Sequence, residues 1–179
     1  MVIREIREDD APAFLDLQKQ IEEESMFMLL TPGERETAVE EKRKLIRDVL
    51  SRDNQTIFVV ENDKGELVGY LRALGGEYEK TKHCAYITVG VLEEYTGQGL
   101  GTSLLETLDR WAQQKGLHRL ELIVMQNNEP AVNLYRKMGY DIEGTKKDSL
   151  MVGDEFVDEY YMGKLITEPN IHTNSEAGL

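Results

Sequence analysis

Gly97, Gly99 and Gly101 stand at every second position in the run Tyr95-Thr96-Gly97-Gln98-Gly99-Leu100-Gly101, which opens directly into an apolar helical pattern. Glycines just before a helix leave backbone N–H groups unobstructed. The helix dipole adds about half a positive charge at that end, so the combination suits a phosphate or diphosphate. A nucleotide P-loop needs a lysine at the helix start, and here Thr102 and Ser103 follow Gly101 instead. A dinucleotide-binding loop needs Gly-x-Gly-x-x-Gly opening a parallel strand–helix–strand unit, and this spacing differs. A tight strand-to-helix turn that holds no ligand is the remaining alternative.

The elements that must carry this loop alternate along the chain. Val2 to Arg7 reads as a strand. A helix follows, capped by Asp9 or Asp10, with Pro12 in its first turn and Phe14, Leu17 and Ile21 on one face. Thr31-Pro32-Gly33 breaks the chain. A second helix is predicted over Glu34 to Arg52, burying Val39, Ile46, Val49 and Leu50. Thr56 to Glu61 and Leu67 to Leu74 form a hairpin through Asn62-Asp63-Lys64-Gly65, and His83 to Val91 is the next strand. The helix after the glycine loop buries Leu100, Leu104, Leu108, Trp111 and Ala112 and stops at Gly116. A strand from His118 to Met125 precedes a helix over Glu129 to Met138, capped by Asn127 or Asn128 and ended by Gly139. Strands Asp141–Val152 and Glu155–Leu165, joined through Gly153-Asp154, close the pattern. The order β-α-α-β-β-β-α-β-α-β-β implies a mixed α/β architecture with a mainly antiparallel sheet and helices on both faces.

Composition narrows the function classes. The 179 residues suffice for one ordinary domain, with 40% hydrophobic and 31% charged residues. Thirty-four acidic against 21 basic residues give a net charge of −13, which argues against nucleic-acid and anionic-membrane partners. The single cysteine, Cys84, excludes an internal disulfide framework and a multi-cysteine zinc site. No metal is expected. No stretch reaches the ~18 apolar residues of a membrane span, and the charged N-terminus does not read as a secretory signal. A cytoplasmic location fits. Residues 1–166 form the expected domain, and the polar tail 167–179 is expected to be disordered.

Two segments together resemble the GNAT (Gcn5-related) N-acetyltransferase family. Ile87-Thr88-Val89-Gly90-Val91 followed by the glycine loop is similar to that family's acetyl-CoA loop. Asn128-Glu129-Pro130-Ala131-Val132-Asn133-Leu134-Tyr135-Arg136-Lys137-Met138-Gly139-Tyr140 looks like its second signature. The resemblance covers roughly residues 1–166 and implies direct transfer of an acetyl group from acetyl-CoA to a primary amine. The implied cofactor-binding residues are Val89, Gly90, Val91, Gly97, Gln98, Gly99, Leu100, Gly101, Thr102 and Asn128. Tyr135 holds the family's general-acid position, although helical spacing alone would make it a core residue beside Leu134 and Met138. Three positions depart from the family pattern. Thr96 stands where the family usually has Arg or Gln, Glu93 where many members have Pro, and Ile123 where protein-N-terminus acetylating members have a catalytic Glu. Glu121, two residues away on the same strand face, is the expected partial substitute. Tyr86, His83 and ordered water are further candidates for taking the amine's proton. The acceptor is expected to be a small-molecule amine. A peptide or protein acceptor, and a CoA-binding module without catalysis, are the alternatives. A homodimer is compatible with all three.

Overall fold

The structure is a computed structural model and describes residues 1–166. Seven strands form one sheet: β1 (Val2–Glu5), β2 (Gln55–Glu61), β3 (Leu67–Gly75), β4 (Cys84–Val91), β5 (Arg119–Met125), β6 (Asp141–Val152) and β7 (Glu155–Leu165). Their spatial order is β1-β2-β3-β4-β5-β7-β6. Only β4 and β5 run parallel; every other neighbouring pair is antiparallel. The helices are α1 (Ala11–Glu24), α2 (Val39–Leu50), α3 (Leu100–Lys115) and α4 (Glu129–Lys137). The order matches the one expected from the sequence.

Alternating burial sorts the helices between the two faces. On β4, Gly90 faces α1: a Cβ there would fall 2.7 Å from the Tyr70 ring and 3.2 Å from Ile21 Cδ1. Tyr70 in turn meets Phe14 of α1 edge-on, with ring centroids 5.2 Å apart. The opposite face is covered by α3, whose Leu104, Leu105 and Leu108 are fully buried and whose Trp111 meets Phe58 of β2 edge-on. Phe58 neighbours Ile57 and Val59 on β2, both fully buried beneath the other helix layer.

Three expectations need correction. Helix α2 starts at Val39, not Glu34, and Val39 is exposed. The preceding residues instead carry Arg35 back to a buried ion pair with Glu22 of α1. Glu22 therefore belongs to the interior, although it sits in the acidic run Glu22-Glu23-Glu24. Neither Asp9 nor Asp10 caps α1 through its side chain. The Asp10 carboxylate accepts the Arg7 N–H at 2.7 Å and takes both guanidinium arms of Arg4.

Lys42 is buried although charged. Its ammonium donates to Gln18 Oε1 at 2.5 Å and lies 5.3 Å from the Phe14 ring centre. Burial, and then the Arg35 and Arg72 cations, push its pKa down to about 8, with Glu22 opposing. The unfolded chain holds this proton up to about pH 10.4, so between those values it binds more protons than the native state. Stability from this group therefore rises as pH increases from about 8 to about 10. Urea unfolding across that range should show the rise, and Lys42→Met should flatten it.

Candidate active site

The parallel pair β4 and β5 is joined only at Cys84↔Arg119, Ala85↔Leu120 and Tyr86↔Glu121. Beyond Tyr86 the strands separate into a fork, and among the described residues no strand pairs with the β5-facing edge of β4 from Ile87 to Val91. The direction of its backbone groups follows from the neighbouring hydrogen bonds. The Leu92 N–H donates to Val68 O at 3.0 Å, toward β3, and His83 O accepts from His118 and Arg119 on the β5 side. Strand residues alternate in this direction. Val89 and Val91 therefore present N–H and C=O to the open fork, while Gly90 turns its own to β3. The missing side chain of Gly90 admits the Tyr70 ring, a packing role that differs from the cofactor contact the resemblance implies.

The glycine loop lies at the open end of this edge. Gly97 and Gly99 have φ of +71° and +80°, and a Cβ at either would meet nothing within 4 Å. Their glycine requirement comes from the left-handed backbone. Gly101 is glycine for space instead, since its Cβ would lie 2.7 Å from Leu134 Cδ2 of α4. Gln98 ties the loop by donating to Glu94 O at 3.0 Å. The Glu24 carboxylate accepts the Glu93 N–H at 2.8 Å and fixes the loop to α1. Helix α3 begins at Leu100 with no side-chain cap and no acidic residue in its first turn. Its first bond to the preceding turn is Ser103 N–H to Gly99 O, which leaves the N–H groups of Leu100, Gly101 and Thr102 without helical partners. Leu100 itself is buried and anchors the turn.

Helix α4 brings Tyr135 toward the fork. Asn128 caps it, with Oδ1 accepting the Ala131 N–H at 3.3 Å, and Val132 and Tyr135 form its buried face. Burial pushes the Tyr135 phenol well above its usual pKa, and the nearby Tyr86 and Tyr70 phenols add to the effect. Those two tyrosines reach it from β4 and β3.

Glu121, the expected partial substitute for a catalytic base, is engaged by a neighbouring guanidinium. It sits where the strands still pair, and its carboxylate accepts from Arg119 Nε at 2.8 Å. Arg119 also holds Glu143 of β6. His83 is exposed at the closed end of the fork, its ring 6.3 Å from that of His118. Ile123 is half-buried and pairs in register with Tyr161, which is exposed on the fork face. The sequence reading overlooked Glu159 of β7, whose charge reaches the Tyr86 phenol. It also overlooked Arg72, the only charged residue in the strand Leu67–Gly75. An isolated charge within an apolar strand was the signal available for Arg72.

An open strand edge thus lies beside an uncapped, glycine-led helix start. The family model described as Acetyltransferase (GNAT) family matches residues 13–140, and the chain belongs to that family. It is similar to an acetyltransferase of the GNAT family from Streptococcus pneumoniae, at 30% identity and TM-score 0.89 over 93% of this chain and 99% of the other. The yncA structure from Salmonella typhimurium, solved with its cofactor acetyl-CoA, shares the fold at 17% identity and TM-score 0.82, over 94% and 95% of the two chains. Among curated proteins, the L-amino acid N-acetyltransferase AaaT of Escherichia coli is 31% identical over 105 residues, 56% of this chain and 63% of its own length. The chain spans between 55% and 63% of the length of the curated relatives it matches. Among the described residues, no helix is long and apolar enough to cross a membrane, and no group of three metal-ligating side chains forms.

Proposed function

We propose that the protein is an N-acetyltransferase that moves an acetyl group from acetyl-CoA to the primary amine of a small molecule. The observation that carries this reading is the pairing of an open β4 edge with an uncapped α3 N-terminus in the same strand–loop–helix segment. The N–H groups of Leu100, Gly101 and Thr102, with Gly97 to Gly99 leading in, suit the diphosphate. The outward backbone groups of Val89 and Val91 suit the amides of the pantetheine arm, added like an extra strand. Asn128 retains its amide nitrogen for a second contact. Acetyl-CoA supplies an acyl group activated as a thioester.

The residues then divide the work. A β4 backbone N–H polarises the thioester carbonyl. The amine nitrogen bonds to the carbonyl carbon, the carbon–sulfur bond breaks, and the electron pair leaves on sulfur. The Tyr135 hydroxyl donates its hydrogen bond and proton to that sulfur as charge develops. The amine gives up its proton to water next to Glu159, which accepts from the Ser149 hydroxyl and lies 3.8 Å from Lys146 Nζ. With Ile123 in place of a carboxylate and Glu121 held by Arg119, a water-mediated route replaces a direct base. The name of the Escherichia coli relative supports a small acceptor. Thiol release from acetyl-CoA, screened over polyamines, amino acids, aminoglycosides and short peptides, tests the reading. A small amine should give sustained turnover, and turnover confined to peptides would contradict it.

A further inference from the structure

Arg72 is the single charge in a strand that reads Leu-Val-Gly-Tyr-Leu-Arg-Ala-Leu-Gly. Its Cα pairs with Ile57 on β2 and Thr88 on β4, so it sits one strand behind the open fork edge. Alternation places its side chain on the face that carries Tyr70, Thr88 and Tyr86. This is the face away from α3 and its diphosphate cradle.

The charges around Arg72 do not balance. Its Nε is sealed from solvent and has no hydrogen-bond partner among the described residues. The carboxylate that shares its neighbourhood on the helix side, Glu22, is taken by Arg35. Lys42 adds a further cation, bonded only to the neutral Gln18 among the described residues. On the helix side, three cations thus face one carboxylate. Toward the fork, Glu159 is a second carboxylate near the Tyr86 phenol, but among the described residues no ion pair joins it to Arg72; its partners are the Ser149 hydroxyl and Lys146. Arg72 as a whole is half-buried, but its sealed Nε is left without the hydrogen-bond partner that a buried donor needs. A planar, always-charged fork of donors fits a carboxylate with two parallel bonds.

We propose that Arg72 holds the carboxylate of the acceptor, which is therefore an α-amino acid or a molecule with its amine similarly close to a carboxylate. The inference rests on the acetyltransferase reading above and narrows its substrate class. Neighbouring strands lie about 4.8 Å apart. A carboxylate on Arg72 thus puts an α-amine above Thr88 and Tyr86, at the edge where the thioester carbonyl lies. The carboxylate also neutralises one of the three cations. An acceptor that carries both charges is electrically neutral overall, so the chain's net charge of −13 does not repel it.

The test uses the full chain, acetyl-CoA and matched acceptor pairs, each an L-amino acid and its α-carboxamide. The wild type should favour the acid of each productive pair. Arg72→Gln should raise KM for the acid by about tenfold to a hundredfold and leave kcat close to its wild-type value. The same variant should leave the amide's kinetics and the KM for acetyl-CoA unchanged. Arg72→Lys should recover part of the preference. Equal loss on acid and amide, or a wild type indifferent to the carboxylate, would overturn the proposal while leaving the acetyltransferase reading in place. If no amine turns over, that reading fails by itself. Calorimetric titration with the same pairs then decides the Arg72 assignment. Binding of the acid that vanishes in Arg72→Gln, with the melting temperature preserved, supports it; no acid binding by the wild type at millimolar concentration overturns it.

Discussion

Tyr135→Phe should lower kcat by about a hundredfold or more while changing the KM for acetyl-CoA little, because general acid catalysis typically contributes 10²–10⁴. The lost hydroxyl acts on the leaving sulfur and not on the bound arm. Burial holds this phenol protonated far above the neutral range, and Tyr86 and Tyr70 reinforce that state. The rate should therefore drop by the same factor at every pH from about 6 to about 9, with the inflections of the pH profile in place. The ring remains against Tyr140, whose centroid is 5.7 Å away, so the fold should survive. Thiol-release kinetics across that pH range check the claim. An unchanged kcat would remove Tyr135 from the chemistry and leave it a packing residue.

Thr102→Glu should separate ligand binding from helix stability, moving them in opposite directions. A carboxylate in the first turn of α3 satisfies the free N–H groups and complements the helix dipole, which stabilises by about 0.3–1 kcal/mol. The same carboxylate competes with and repels a diphosphate. The dissociation constant for CoA should rise about tenfold or more, while the melting temperature holds or increases. Thr102→Gln, similar in size and neutral, should bind CoA nearly as the wild type does. Calorimetry and thermal melts on the three proteins check both halves. Tight CoA binding by the glutamate variant would mean that these amides are not where the diphosphate sits.

Periodicity and turn chemistry made the architecture legible. The α3 stripe, the stop at Gly116 and both hairpin turns follow from local rules, and all lie where the sequence put them. Local rules also located the glycine loop but misread one of its members. Gly97 and Gly99 need their backbone conformation, whereas Gly101 needs room for Leu134, a residue more than thirty positions away. Gly90 is a similar case, since its reason lies in Tyr70 and Ile21. Glu22 stands in an acidic run, yet Arg35 reaches back from the connection to α2 and pairs with it in the interior, a contact no local rule specifies. Glu121 has its partner Arg119 only two residues away, but nothing local reveals that Arg119 also bridges to Glu143 at an irregularity of β6. In each case the missing information was a long-range side-chain partner. Helical and strand periods specify which face a residue occupies, not which partner from another element meets it there.

The most direct test of the central claim is a crystal structure of the chain with acetyl-CoA. The account predicts the diphosphate within hydrogen-bond reach of the Leu100, Gly101 and Thr102 amides. It further predicts the pantetheine amides along Val89 and Val91, and the sulfur facing the Tyr135 hydroxyl. A cofactor bound anywhere else, or a fork left empty at saturating concentration, would contradict it.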